Sequence, residues 1–230
     1  MEILEKKGEI NVLYVNHDSK GVLDLMHLED LLIENSNVLV SIMHGNNEIG
    51  NLNPIQEIAI LCKKYNSFFH SDTVQTIGHY HLDVKQLDID VLVASAHKFH
   101  GPKGIGFMYL KGGIHLDSFL HGGAQERGFR AGTENVAGII GLTKALEETY
   151  NTLTQDKLHI LALKKYLIYH LKEQISDISF NGNCENEAES LYSIVNISLP
   201  PLKNNNMLLF NLDLHNICLL YTSDAADDSL

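Results

Sequence analysis

A hydroxyl, an imidazole and an amine lie within four residues of one another, at Ser95, His97 and Lys98. They follow the apolar run 90–94, which predicts a short strand in the interior of a sheet. A lysine at such a strand end is poorly placed for the core, because a buried ammonium is costly unless it is paired. The functional interpretation is an amine that forms a Schiff base with a carbonyl cofactor. The alternative is an ordinary solvated loop lysine.

Two further polar clusters come directly after predicted strands. The apolar run 38–43 leads into a glycine-bounded loop that contains Asn47, and the run 67–71 ends at Asp72, with Gln75 close behind. Ligands of parallel sheets bind at the carboxyl ends of strands, so the three clusters are expected to meet in one crevice. The alternatives are local roles, a turn for the asparagine pair and a helix N-cap for Asp72.

The order of elements predicts an α/β fold, with a mostly parallel sheet flanked by helices. Strands are predicted at 10–15, 38–43, 67–71, 90–94 and 105–110, and helices at 24–33 and 54–64. After a glycine-rich loop, the pattern predicts two helices, 135–150 and 156–175, a strand at 193–199 and a helix at 207–214. We therefore predict a large domain over residues 1–150 and a smaller α+β domain over residues 151–217.

Composition excludes several classes of protein. A hydrophobic content of 44% with 20% charged residues is typical of a globular chain, and no stretch approaches the length of a membrane span. The net charge of −12 argues against nucleic acid as a direct partner. The three cysteines are far apart and no histidine or cysteine spacing indicates a metal site. These features, with no apolar signal core at the start, predict a cytoplasmic protein without a metal.

The end of the chain fits none of these elements. Residues 218–230 resemble the read-through translation of a sequencing adapter and are predicted to be a non-native tail. The three asparagines at 204–206 are predicted to form a surface loop in the smaller domain. The tail is therefore left out of the fold prediction.

Five motifs, in order and with matching spacing, resemble the cysteine desulfurases, which are pyridoxal-phosphate enzymes of fold type I. The resemblance runs from near residue 1 to about residue 217. Within the family, the sequence is similar to the branch that supplies sulfur for iron–sulfur clusters and tRNA thiolation. The motifs are Ser-Ile-Met-His-Gly-Asn-Asn-Glu-Ile-Gly (41–50), His-Ser-Asp-Thr-Val-Gln (70–75), Ser-Ala-His-Lys (95–98), Gly-Pro-Lys-Gly-Ile-Gly (101–106) and Arg-Ala-Gly-Thr-Glu-Asn (130–135).

The resemblance implies a role for each strand-end side chain. Lys98 would bind pyridoxal 5'-phosphate covalently and later move the α-proton of the substrate. Asp72 would pair with the pyridine nitrogen and keep it protonated. Gln75 would hydrogen-bond the ring oxygen, and Asn47 would face both that oxygen and the substrate carboxylate.

The resemblance also implies how the cofactor phosphate is bound and which partners the protein has. Ser95 and His97 would bind the phosphate, and Thr133 would reach the phosphate of a neighbouring subunit in a homodimer. The substrate would be L-cysteine, and the sulfur would pass as a persulfide to scaffold or tRNA-thiolation acceptors. Seven further histidines are predicted to be loop or surface residues, and only His121, in the glycine-rich loop, is kept as a further candidate: His44, His70, His79, His81, His100, His115 and His121.

Parts of the family pattern are missing from this chain. The family's N-terminal region, its catalytic cysteine loop and its carboxylate-binding arginine have no match here, so the chain is predicted to be an inactive fragment, truncated at both ends. Cys62 lies in a predicted helix and is expected to be a buried structural residue. The alternatives are another fold type I enzyme, such as a selenocysteine lyase or a class V aminotransferase, and a non-catalytic scaffold.

Overall fold

The structure is a computed structural model that describes residues 1–200 and 207–219. Its helices are α1 (Glu2–Lys6), α2 (Leu25–Glu34), α3 (Ile55–Lys64), α4 (Val84–Leu87), α5 (Val136–Gln174) and α6 (Leu208–Leu214). Its strands are β1 (Leu39–Ser41), β2 (Phe68–Asp72), β3 (Val91–Ser95), β4 (Gly106–Leu110), β5 (Ser179–Phe180) and β6 (Ile197–Ser198). The predicted loop at 204–206 and residues 220–230 of the predicted tail lie outside the described residues.

The main sheet has four strands in the order β1-β2-β3-β4. The first three strands are parallel, and β4 runs antiparallel to β3. β5 and β6 form a separate antiparallel pair. The predicted α/β class is confirmed, and the parallel part of the sheet is the part that carries the strand-end clusters.

Local signals explain where the first two long helices begin. The Asp24 carboxylate accepts hydrogen bonds from the backbone N–H groups of Met26 and His27, both at 3.0 Å, and so caps α2. Pro54 directly precedes α3, where its fixed φ and missing N–H suit a helix start. Both helices were predicted within two residues of their observed bounds.

The predicted strand at 10–15 is wrong. This segment has no strand partner among the described residues, and side chains bind its backbone instead. Val12 N donates to a Glu5 carboxylate oxygen at 3.3 Å, and Asn16 N donates to His27 Nδ1 at 3.0 Å. An alternating pattern predicts an extended backbone, but a strand also requires a neighbouring strand to pair with.

The two helices predicted at 135–150 and 156–175 are one continuous helix, α5. The segment between them contains neither glycine nor proline, and Leu153 within it is buried. Thr149 donates its hydroxyl to the carbonyl four residues earlier at 2.8 Å, and Thr152 donates its hydroxyl to the Asp156 carboxylate at 2.5 Å, which lets these polar residues lie inside a helix. The predicted domain boundary at residue 150 falls inside this helix, and the division into two domains stays a prediction.

One face of the main sheet is covered by helices. A core cluster between the sheet and the helices α2 and α3 contains Leu28, Leu32, Val40, Ile55, Ile58, Ala59, Cys62, Phe69, Ile89 and Leu92. A second cluster, near α5, contains Ile77, Ala94, Ala96, Phe99 and Leu142. On the other face, Leu39, Phe68 and Met108 are exposed. Apolar side chains therefore hold the helices against one face of the sheet, and the side chains of Asp72 and Ser95 point to the other face.

No helix in the described part of the chain is long and apolar enough to cross a membrane. Within the same residues, no group of three or more histidine, cysteine, aspartate or glutamate side chains is placed to hold a metal ion.

Candidate functional site

The ends of β2 and β3 bring Asp72 and Ser95 to the same face of the sheet. Asp72 pairs with Val93 in the parallel register, and Ser95 lies two residues further along β3. Paired residues of neighbouring strands share a face, and so do residues two apart in one strand. Strand spacing and rise place the two Cα atoms roughly 8 Å apart. A small molecule on this edge can therefore contact both side chains.

The loop after β1 joins the same edge of the sheet. His44 N donates to the carbonyl of Asp72 at 2.8 Å, which extends the pairing beyond the end of β1. Asn46 holds the turn, because its Oδ1 accepts from the backbone amides of the second and third residues after it, both at 2.9 Å. The next residue, Asn47, is exposed. The local turn role thus belongs to Asn46, and the Asn47 amide can contact a ligand.

Asp72 uses one carboxylate oxygen in a turn and leaves the other without a hydrogen bond. Its Oδ1 accepts from Val74 N at 2.9 Å, and no helix begins there, so it caps a turn and not a helix. Oδ2 has no hydrogen-bond partner in the described part of the chain. The side chain of Gln75, half-buried in the same turn, has none there either. Both groups are available to bind a ligand.

Lys98 lies in the 3₁₀ turn Ala96–Phe99, which follows β3 directly. Gly101 N donates to the carbonyl of Ala96 at 2.8 Å and closes this turn. Ala96 and Phe99 are fully buried, whereas the Lys98 side chain is exposed. Residues 1–200 and 207–219 therefore do not form the desolvated surroundings that were expected for the amine.

Ser95 and His97 contact each other on the exposed side of the same turn. The distance from Ser95 Oγ to His97 Nδ1 is 2.8 Å. His97 Nε2 has no hydrogen-bond partner among residues 1–200 and 207–219, and the side chain is exposed, so this nitrogen can bind a ligand. Hydroxyl and imidazole donors beside loop amides suit phosphate, since each supplies a charge-assisted hydrogen bond.

These groups fit pyridoxal 5'-phosphate. Its ring nitrogen requires a carboxylate, and Asp72 Oδ2 is unbonded. Its phosphate requires short donors, and the Ser95–His97 pair provides them. Its aldehyde requires an amine, and Lys98 lies one residue beyond this pair. All three requirements are met at one edge of the sheet.

His44 lies in the loop after β1, as predicted, but it is not a surface residue, because its side chain is only 6% exposed. The same prediction is wrong for His70, which lies within β2 and is half-buried. His44 Nδ1 lies 2.9 Å from Thr76 Oγ1, and the ring packs against Tyr80. Burial lowers the pKa of His44 to about 4. The imidazole is therefore neutral at physiological pH.

His44 should make the stability of the chain depend on pH. Below about pH 6.5 the unfolded chain binds a proton at His44 that the folded chain, with a pKa of about 4, does not bind. The free energy of unfolding is thus expected to fall between pH 6.5 and pH 4, by about 3 kcal/mol at most. Urea unfolding of the parent chain and of His44→Asn across this range measures the effect. Identical slopes in the two proteins would contradict it.

Sequence reasoning missed a set of contacts behind the Lys98 turn. His79 contacts both the Lys98 carbonyl and the Tyr192 hydroxyl at 2.9 Å. Lys164 is buried in α5, where it donates to Ser190 Oγ at 2.9 Å and to the carbonyl of the next residue at 2.8 Å. Burial lowers the pKa of Lys164. The only sequence signal was the position of Lys164 on an apolar stripe of the helix.

Two of the cysteines are buried and poorly suited to act as nucleophiles. Cys62 is in the core, as predicted, where burial and, secondarily, the charge of Asp90 raise the pKa of its thiol to about 12. Cys184 is also buried, and burial raises the pKa of its thiol. Because the thiolate is the reactive form, neither residue has the chemistry of a sulfur carrier. Cys218 is exposed.

Two open grooves, of about 500 and 490 Å³, lie in the described part of the chain. Both include Gln56, His81, Leu82 and Leu87, and the second extends to His44. Neither is lined by Asn47, Asp72, Ser95 or Lys98. The strand-end groups therefore lie on an open edge and not in either groove.

Comparisons with known proteins identify the family and the fold of this chain. The chain is 40% identical to the cysteine desulfurase IscS of Clostridium botulinum over 216 residues, which is 94% of this chain and 53% of that protein. It thus spans about half the length of the curated relatives it matches. Among solved structures, a NifS-like protein matches with a TM-score of 0.86 and 36% identity, over 94% of this chain and 58% of that one.

A second solved structure, the NifS-like protein from Rickettsia africae, matches with a TM-score of 0.84 and 32% identity, over 91% of this chain and 57% of that one. These likenesses confirm the predicted fold type I. The aminotransferase class-V family model matches residues 1–221, nearly the whole chain. The chain therefore belongs to the class-V aminotransferase family.

Proposed function

We propose that this chain carries the pyridoxal-phosphate-binding part of a cysteine desulfurase, an enzyme that converts L-cysteine to L-alanine and passes on the sulfur. The observation that carries the proposal is the shared edge of β2 and β3, where Asp72, the Ser95–His97 pair and Lys98 lie together. The similarity to a protein named cysteine desulfurase supports this reaction over other reactions of the family.

Each group at the edge has a definite task in this proposal. Lys98 Nζ holds the cofactor and then moves the α-proton of the substrate. Asp72 Oδ2 accepts a hydrogen bond from the protonated ring nitrogen, and its negative charge keeps that nitrogen protonated. When bound, pyridoxal phosphate supplies an electron sink for the charge that develops at the substrate's α-carbon. Ser95 and His97 hold the phosphate, and this fixes the ring relative to Lys98.

The remaining polar groups orient the substrate. Gln75 donates to the ring oxygen, and Asn47 faces both that oxygen and the substrate carboxylate. Both side chains lack internal hydrogen bonds among the described residues, which supports these roles. Neither Cys62 nor Cys184 accepts the sulfur, because burial raises the pKa of both thiols and the thiolate is the reactive form.

The proposal extends to the assembly and its partners. Thr133 is exposed in the loop before α5, and its hydroxyl has no hydrogen bond in the described part of the chain. It is thus free to reach the phosphate bound by a second subunit in a homodimer. The sulfur acceptors are those of iron–sulfur cluster assembly or tRNA thiolation, and the location is the cytoplasm.

Borohydride trapping tests the cofactor assignment directly. The chain is incubated with pyridoxal 5'-phosphate, reduced and digested, and the labelled peptide is identified by mass spectrometry. We expect one saturable label on Lys98, because the Ser95–His97 pair and Asp72 hold the aldehyde beside that amine. Even, unsaturable labelling of the exposed lysines would refute the assignment. An excess of inorganic phosphate should compete with the labelling of Lys98.

A further inference from the structure

We propose that His79 is a positioning residue for Lys98, which fixes the backbone of the turn that carries the amine by joining it to Tyr192. His79 would not touch the substrate or the cofactor. The relevance of this contact to cofactor attachment rests on the function proposed above. The contact itself and its effect on the turn do not depend on that function.

The direction of each hydrogen bond follows from the atoms involved. His79 Nε2 lies 2.9 Å from the Lys98 carbonyl oxygen, which can only accept, so Nε2 carries the proton and donates. In a neutral imidazole the other nitrogen then accepts, and Nδ1 lies 2.9 Å from the Tyr192 hydroxyl. Burial raises the pKa of Tyr192 to about 12, so the hydroxyl keeps its proton and can donate.

The Lys98 turn needs such a partner, because the last carbonyls of a helical segment have none within it. The carbonyl of Lys98 is satisfied by a side chain from elsewhere in the chain, because His79 donates to it at 2.9 Å. The Thr149 hydroxyl lies 3.3 Å from the Phe99 carbonyl, but its one proton goes to a nearer carbonyl within α5, at 2.8 Å. The turn ends at His100, whose φ of 65° is left-handed. A frayed turn would move the Lys98 side chain.

The other end of the contact is held firmly. Tyr192 is buried, and its backbone N–H donates to Tyr80 Oη at 3.2 Å. The residue before it, Leu191, accepts a hydrogen bond from the buried Lys164 of α5. His79 thus connects the Lys98 turn to a fixed segment that lies far away in the sequence. A side chain whose partner is fixed in this way can set the orientation of the group it binds.

Three variants test the proposal in the full chain. His79→Gln keeps a planar group with one donor and one acceptor, whereas His79→Leu removes both. His81→Leu is the matched control, since His81 is exposed, lies two residues away and stacks on Tyr150. The first measurement is hydrogen exchange of the amides of residues 96–101. The second is the rate at which pyridoxal 5'-phosphate becomes trapped on Lys98.

We expect His79→Leu to speed exchange in the turn up to about tenfold, the effect of losing one net hydrogen bond. Trapping on Lys98 should slow in the same variant, because the amine is less well placed. His79→Gln should restore most of both properties, and His81→Leu should behave like the parent chain. Equal exchange in the parent and His79→Leu would overturn the proposal, as would failure of the glutamine to rescue.

Tyr192→Phe provides an independent test, and it still applies if His79→Leu fails to fold. It removes the hydroxyl that donates to His79 and keeps the ring in the core. Faster exchange at residues 96–101 is expected, and unchanged exchange would overturn the proposed link. If exchange responds as expected but the parent chain shows no trapping on Lys98, the proposed cofactor role fails and the positioning of the turn by His79 stands.

Discussion

Lys98→Arg is expected to abolish the covalent attachment of pyridoxal 5'-phosphate, so that the borohydride-trapped adduct falls to background. Arginine keeps the positive charge and nearly the length of lysine, but its guanidinium is not deprotonated in proteins and cannot be the attacking amine. The side chain is exposed, so the substitution should leave the fold intact. Asp72, Ser95 and His97 remain, and weak, phosphate-competed binding of the cofactor should persist.

The control for this experiment lies in the same loop region. Lys103, five residues later, is also exposed, and Lys103→Arg should keep the full amount of trapped adduct. Absorbance of the unreduced samples measures the bound cofactor, and intact-protein mass spectrometry of the reduced samples measures the trapped adduct. An adduct of equal amount in Lys98→Arg would place the reactive amine elsewhere, even if the strand-end groups still bind the phosphate.

The strand ends could be predicted because their signals are local. An apolar run followed by polar residues and glycine marks the end of a buried strand, and this pattern located Asp72 and Ser95 to within one residue of the ends of β2 and β3. Parallel pairing then places the two side chains together, and the register shows that they share a face. Residue type and position placed Asn47 and Asp72 at strand ends, whereas their roles toward a cofactor come from the family resemblance and stay predictions.

The contacts behind Lys98 could not be predicted, because they join distant segments. His79 and Tyr192 are 113 residues apart, and neither has a neighbour in the sequence that indicates its partner. The same limit explains the error at 10–15, where an extended segment was predicted to be a strand although the Val12 amide donates to the Glu5 side chain. Which group satisfies a backbone amide depends on the tertiary structure.

The apolar run of β3 predicts burial on both faces, as in a fully covered parallel sheet. In the structure its burial alternates, with Leu92 and Ala94 buried and the other three residues of the strand only partly buried. The helices of the described residues cover one face, and exposed Phe68 and Met108 lie on the other. Asp72 and Ser95 lie on this open face. Because no helix of the described residues covers it, the strands are incompletely buried there and both side chains can contact a ligand.

Phe99→Ala is expected to lower the free energy of unfolding by about 3–5 kcal/mol, the usual cost of deleting a fully buried aromatic side chain. Phe99 is 0% exposed and packs with Ile77, Ala94 and Leu142 beneath the Lys98 turn. The surrounding residues cannot easily move into the cavity left by the ring, because the backbone at Gly78 already lies against Phe99. A Cβ atom added at Gly78, where φ is 82°, would lie only 2.6 Å from the Phe99 Cβ.

Urea unfolding followed by circular dichroism measures this loss, and Phe68→Ala is the matched control. Phe68 is 54% exposed on β2, so its truncation should cost less than about 1 kcal/mol. Phe99 also adjoins Lys98, and its variant should therefore lose cofactor trapping in proportion to the unfolded fraction, whereas His79→Leu should lose trapping in the folded state. Equal destabilisation by the two alanine variants would mean that the Lys98 turn does not depend on the core beneath it.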